Sequence, residues 1–410
     1  MIDLNQLGFF ISHHRNRKGL AKQTIGSSLK HFRLQKNLTL EEVSDGICSV
    51  SYLSKLENNL LIPTDKYLLQ LKDKLKLTDL NLEFAESNVI HQMLDAIEND
   101  DLLKLEDYEK FFEQFDYRSK LIKYAYDIYN HIEFDLSIIY SDLIIYASQF
   151  TTDEFILFLY VTALYLYKES YFKKVVHLTK SLLTFEIDRP RFMAKVKYLN
   201  TVSLYRCGSL IQIDKKYQST LNMLIDRQMI NYVIELQKRY LLFLSKYLSI
   251  RELKTKISGL NHLNREEKHY IKAVGHFSKG NYDKVLEFTK NILTKKSTYF
   301  IIHLCALDKL KKHEVILDLL TKHKSLFKTL DKHEQIIMEY LEKKCRKDST
   351  LLNFLKTKIM GTYFTSEDFD YRQYLLGELK NLYRDKKYYK EALKVSEQIA
   401  DEIKEAAKIE

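Results

Sequence analysis

The chain has 410 residues, which at roughly 100 to 200 residues per domain leaves room for two to four structural units and a large core. Hydrophobic residues make up 45% and charged residues 29%, a balance that excludes a disordered or collagen-like chain. With only 10 Gly and 2 Pro there are too few turn formers for sandwiches, barrels or most dinucleotide-binding folds, so the expected class is all-α.

Lys and Arg outnumber Asp and Glu by 65 to 55, a formal charge of +10 that permits an acidic or phosphate-bearing partner without requiring one. Residues 1–77 carry 12 Lys/Arg against 7 Asp/Glu, so half of the excess sits in less than a fifth of the chain. The four cysteines (Cys48, Cys207, Cys305, Cys345) are far apart, with neither disulfide-framework nor zinc spacing. That pattern fits a reducing cytoplasm, the expected location. The apolar patch Leu7–Ile11 is short and precedes a basic tract, the reverse of a secretory signal, and no run approaches the ~18 apolar residues of a membrane span. No membrane partner is expected.

A basic extension over 1–24 comes first, and its tract His13-His14-Arg15-Asn16-Arg17-Lys18 reads equally as a minor-groove arm or as a solvated tail. Short helices with clear caps follow over 25–77. Leu29, Phe32 and Leu34 predict an amphipathic first helix. Thr39-Leu40-Glu41-Glu42 matches a capping box, in which the Thr oxygen and the Glu carboxylate satisfy free backbone amides, and starts a second helix over about 40–46. Ile47-Cys48-Ser49 is a tight connection, and Val50, Leu53 and Leu56 mark the stripe of a third helix ending near Asn58. Pro63 announces a fourth, carrying Tyr67, Leu68, Leu71 and Leu75.

Over 80–406 the segments become long and amphipathic. Three turns share one formula, a turn residue, an aromatic two later and a small apolar residue five later: Ser170-Tyr171-Phe172-Lys173-Lys174-Val175, Gly280-Asn281-Tyr282-Asp283-Lys284-Val285 and Lys387-Tyr388-Tyr389-Lys390-Glu391-Ala392. Their separations of 110 and 107 residues are close to three two-helix units each, and Gly208 falls near one further unit after Ser170. The pattern resembles degenerate tetratricopeptide repeats and predicts eight or nine helix pairs stacked as a right-handed α-solenoid with an extended concave face.

Ile25-Gly26-x-x-Leu29-x-x-x-Arg33, Leu38–Val43 and Ser51-Tyr52-Leu53-Ser54-Lys55-Leu56-Glu57-Asn58 followed by Pro63 resemble the phage-repressor-like helix-turn-helix family. The resemblance implies that the third helix enters the major groove. It makes Ser49, Ser51, Tyr52 and Lys55 candidate groove residues, with Tyr52 suited to a thymine methyl and Lys55 to guanine or phosphate. Arg33 and Ser54 are implied as phosphate or fold-support positions. The turn is one residue shorter than the common pattern, and Ser44 stands where a small Ala is usual.

Such a domain ahead of a tetratricopeptide-like array resembles the Gram-positive peptide-pheromone regulators (the Rgg, Rap, NprR, PlcR and PrgX group), with Gly46–Glu57 and the chain length most similar to the NprR branch and the AimR-type phage receptors related. The resemblance implies a homodimeric transcription regulator that binds a double-stranded operator and is controlled by a short peptide on the concave face. Asn200 lies eight residues before the Gly208 turn, where those receptors carry Asn, and an Asn side chain can both donate to and accept from a peptide backbone. Equivalent counting gives Thr162 and Lys272, with Tyr160, Tyr198 and Tyr270 two residues earlier; Asn231 is a further candidate. The alternatives are an adaptor that sequesters a response-regulator protein and a ligand-independent phage or mobile-element repressor. HExxH, GxxxxGK[ST], GxSxG and GxGxxG do not occur, so neither an enzyme nor a cofactor is expected.

Overall fold

The computed structural model describes Leu7, Phe10, Ile11 and residues 25–58, 60–61, 63–76, 87–112, 117–132, 136–208, 213–324, 330, 332–360 and 369–408. The expected basic arm His13–Lys18 lies outside them, as does the junction near residue 80. Among the described residues there are twenty-two α-helices and no strand, so the fold is all-α: a helix-turn-helix bundle, then a solenoid of helix pairs. The chain divides into two compact units, the first made of 1–168 and 177–196 and the second of 169–176 and 197–410.

The first unit begins with the four-helix bundle, α1 (Ile25–Gln35), α2 (Leu40–Ser44), α3 (Val50–Glu57) and α4 (Asp65–Lys74). Leu29, Phe32, Val43, Leu53, Leu56, Leu71 and Leu75 fill its core. The expected first-helix stripe needs one correction: Leu34 is 39% exposed. Five positions beyond Leu29 it has rotated off the face that Leu29 and Phe32 share. Val50, at the first turn of α3, is also exposed while Leu53 and Leu56 are buried. The second helix stops at Ser44, two residues short of the expected end, because Gly46 turns the chain with φ +74°.

Helices α5 (Ser87–Asn99), α6 (Leu105–Tyr108), α7 (Tyr117–Tyr129), α8 (Leu136–Ile144) and α9 (Thr152–Lys168) complete this unit's sequence before the cut. α9 packs on α5 and α7, and α1 also touches α7. α9 is buried on every side from Glu154 to Ala163. Its start is fixed by Thr151, whose Oγ1 accepts from Glu154 N at 3.1 Å while Thr151 N donates to Glu154 Oε2 at 2.7 Å. The same buried carboxylate pairs with Arg118, so a reciprocal cap and a buried ion pair meet at one side chain.

The division passes through α10 (Phe172–Leu182) and α11 (Pro190–Arg206). Beyond them the second unit holds α12 (Ile213–Asp226), α13 (Ile230–Ser245), α14 (Ile250–Ser258), α15 (Arg265–Ser278), α16 (Tyr282–Thr289), α17 (Ser297–Lys309), α18 (His313–Lys322), α19 (Lys332–Cys345), α20 (Leu351–Met360), α21 (Phe369–Asp385) and α22 (Tyr389–Lys408). Every helix from α12 on packs against the next, and α13, α15, α17 and α19 also pack on one another as a single layer with α14, α16 and α18 behind. This is solenoid packing, in which each pair buries its apolar face only against its neighbours.

The turn residues Ser170, Gly208, Gly280 and Lys387 all take positive φ, between 62° and 75°, as helix C-terminal turns require. Lys311 and Lys347 make the same turn at φ 58° and 55° without the aromatic signature that marks Ser170, Gly280 and Lys387. Toward the C-terminal end, Lys344 reaches Asp308 Oδ2 at 2.7 Å and Glu378 Oε2 at 2.8 Å, while Lys309 and the Tyr340 hydroxyl also bind Glu378. Burial alone would raise the Glu378 carboxyl, but Lys344 and Lys309 bring it down to about 2.

Candidate nucleic-acid interface

The candidate interface is built on α3, and its position depends on an internal scaffold. Arg33 donates from Nε to Glu57 Oε1 at 2.7 Å and from Nη2 to Glu57 Oε2 at 2.8 Å. Its Nη1 donates to the Leu38 carbonyl at 2.8 Å. Arg33 is 8% and Glu57 2% exposed, so this two-pronged pair joins the end of α1, the entry to α2 and the end of α3 inside the bundle. The bond to Glu57 holds the guanidinium pKa up despite its burial. Tyr146, beside the end of α8, senses the same pair: its phenol is pushed up by burial, by Asp142 and by the Glu57 charge.

Two caps set the ends of the motif. Thr39 Oγ1 accepts from Glu42 N at 3.1 Å and Glu42 Oε2 accepts from Thr39 N at 2.6 Å, the reciprocal box expected from the sequence. Those bonds from Thr39 hold the Glu42 carboxyl below its ordinary range. Ser49 caps α3, its Oγ accepting from Tyr52 N at 3.1 Å. Ser44 is buried where α2 crosses α3, its hydroxyl returned to the Glu41 carbonyl. A small residue is what such a crossing admits.

Ser49, Val50, Ser51, Lys55 and Asn58 are exposed along α3. Tyr52 is half-buried, its ring 5.2 Å from that of Tyr67 on α4, so it is part contact surface and part packing. Ser54 is half-buried and its carbonyl accepts both the backbone and the side-chain amide of Asn58, closing the C-terminal turn. Of the six residues assigned to DNA, Ser49, Ser51 and Lys55 therefore share an open surface, Tyr52 borders it, and Arg33 is turned inward. Chemically that surface offers a cation, two hydroxyls and the free amides of a helix N-terminus, groups that suit phosphate oxygens and acceptor edges of bases.

The seven residues assigned to a peptide are not brought together as one exposed row. Tyr160 and Thr162 belong to the first unit and are buried: the Tyr160 ring lies 4.7 Å from Phe192, and the Thr162 hydroxyl is 3.0 Å from the Tyr124 hydroxyl. In the second unit Asn200 is 9% exposed and donates from Nδ2 to the Val176 carbonyl at 3.3 Å. Tyr198 meets Tyr232 edge-on at 5.1 Å, Tyr270 meets Tyr299 at 4.6 Å, and the Lys272 ammonium lies 5.7 Å from the Phe288 ring centre. Asn231 is exposed at the start of α13. Among the described residues no group of three or more His, Cys, Asp or Glu is arranged to hold a metal ion, and no helix is long and apolar enough to cross a membrane.

The helix-turn-helix family model matches residues 29–80. Among solved structures, Bacillus thuringiensis PlcR, in complex with the peptide PapR7 and DNA, is similar over 78% of this chain and 99% of its own, at 14% identity and a TM-score of 0.33. No curated protein matches the chain. The capped helices, the buried crossing and the family match make the N-terminal bundle a helix-turn-helix domain, carried ahead of an array of helix pairs.

Proposed function

We propose that this chain is a homodimeric, sequence-specific transcription regulator that binds a two-fold symmetric operator through α3 and is controlled by a short peptide in its repeat domain. It works by binding, not catalysis. The observation that carries the reading is the exposure of Ser49, Ser51 and Lys55 on one surface of α3 while Arg33, Glu57, Leu53 and Leu56 hold that helix from within. In this arrangement the Lys55 ammonium contacts phosphate or a guanine edge, and the Ser hydroxyls fix register on the backbone. Arg33 acts as a scaffold residue. A single bundle binds modestly, and pairing two gains specificity from half-site spacing.

For the peptide, the second unit supplies the better candidates: Asn231 is exposed, and Tyr198, Tyr270 and Lys272 are half-exposed. Thr162 and Tyr160 serve packing. The reading is tested by selecting bound duplexes from a random pool and titrating salt. Enrichment of a symmetric sequence with a steep salt dependence is expected; equal binding to every duplex would overturn it. Peptide control is tested separately with a library of short peptides, where a specific ligand at 100 times its Kd raises stability by about 2.7 kcal/mol.

A further inference from the structure

Two ion pairs in the second unit join helices that the solenoid order keeps far apart. Lys173, in the first turn of α10, has its Nζ 3.5 Å from Glu405 Oε2 near the end of α22, with α11 to α21 lying between them in the chain. Lys246, at the C-terminal cap of α13, pairs with Asp370 in the first turn of α21, with α14 to α20 between. Lys279, just past the end of α15, adds to the second site by donating to the Lys246 carbonyl at 2.7 Å. Burial and the nearby Asp370 charge both push the Tyr247 phenol up.

Both pairs join the ends of helices. At Lys246–Asp370 the C-terminal end of an early helix meets the N-terminal end of a late one. At Lys173–Glu405 the order is reversed, the first turn of an early helix meeting the end of a late one. Two independent contacts thus join early helices of the second unit's coil to late ones.

We propose that Lys173–Glu405 and Lys246–Asp370 form a two-point clasp that closes this coil on itself and opens reversibly. Lys173 and Glu405 are 48% and 66% exposed at the side chain, and Asp370 is 51% exposed, so neither pair is locked away from solvent. Exposed pairs of this kind are individually weak and screened by salt, which suits a seam that opens without unfolding the pairs on either side. The clasp controls how widely the interior of the coil is open to solvent, whether or not that interior binds a peptide.

Zero-length carbodiimide cross-linking of the full chain, read by mass spectrometry on an equal mixture of unlabelled and nitrogen-15-labelled protein, tests this. Lys173–Glu405 and Lys246–Asp370 cross-links are expected at 50 mM salt within single chains, without isotope mixing, and at least fivefold weaker in 1 M salt. E405K is expected to raise hydrogen exchange at the start of α10 and the end of α22, and the charge-swapped K173E/E405K to restore protection, which separates loss of the clasp from misfolding. Absence of both links at low salt, isotope-mixed links, or unchanged exchange in E405K would each overturn the proposal.

Discussion

Arg33 and Glu57 face each other across the core of the bundle through two parallel hydrogen bonds of 2.7 and 2.8 Å, and a third from Arg33 fixes the Leu38 carbonyl. The pair is nearly inaccessible to water, so its members are worth far more together than either is alone.

Removing one member leaves a buried charge without its partner. Arg33→Ala or Glu57→Ala is expected to destabilise the bundle by about 3–5 kcal/mol. The apolar double replacement Arg33→Met/Glu57→Leu should cost much less, since it leaves no charge behind. Denaturant unfolding of the four variants checks this; a single variant within about 0.5 kcal/mol of wild type would remove the pair from its scaffold role.

Lys55 behaves in the opposite way. It is exposed, so Lys55→Ala should leave stability within about 0.5 kcal/mol. If its ammonium meets a phosphate, the slope of log affinity against log salt should fall by about 0.9. Fluorescence anisotropy with an operator at several salt concentrations reads both affinity and slope. Tyr52→Ala is a poorer probe, because the ring also packs on Tyr67. It should lower stability and binding together.

His303 makes the second unit sensitive to acid. Its Nδ1 lies 2.7 Å from Thr289 Oγ1, and burial lowers its pKa from 6.5 to about 4. Between those values the unfolded chain binds a proton that the folded one excludes. Stability is then complete above pH 6.5 and falls as the pH drops toward 4, by at most about 3 kcal/mol from this group. Urea midpoints measured across that range should show the loss, and His303→Gln should flatten it; an identical profile in the variant would assign the effect elsewhere.

The last helix carries the prediction for assembly. Tyr389, Leu393 and Ile403 are exposed on α22 while Ala392, Val395 and Ala406 are buried on its other side. If the chain dimerises through this face, two copies laid antiparallel would match apolar to apolar. Leu393→Glu/Ile403→Glu should yield monomers by light scattering and weaken operator binding; an unchanged dimer would move the interface to another surface.

Much of the bundle was legible because its signals are local. The Thr39–Glu42 box, the Ser49 start of α3 and the left-handed turns at Ser170, Gly208, Gly280 and Lys387 each depend on residues a few positions apart. The Arg33–Glu57 pair spans two helices and was not named, although a signal was present. Leu29, Phe32 and Arg33 repeat the spacing of Leu53, Leu56 and Glu57, which places one charge on the buried stripe of each helix. The turns at Lys311 and Lys347 escaped because neither is followed two residues later by the aromatic that marks the turn at Lys387. Counting eight residues back from a turn led to Thr162 on the assumption that each helix has an open side, and α9 is enclosed all round.

The hydroxyl of Ser49 is already committed as an acceptor to the amide of Tyr52. That commitment polarises its own O–H outward and makes it a stronger donor. Were this surface to meet DNA, such a hydroxyl would favour an electron-rich partner, such as a phosphate oxygen or a base acceptor, over an amino group. An Ala at this position would silence that preference and loosen the helix it begins at the same stroke.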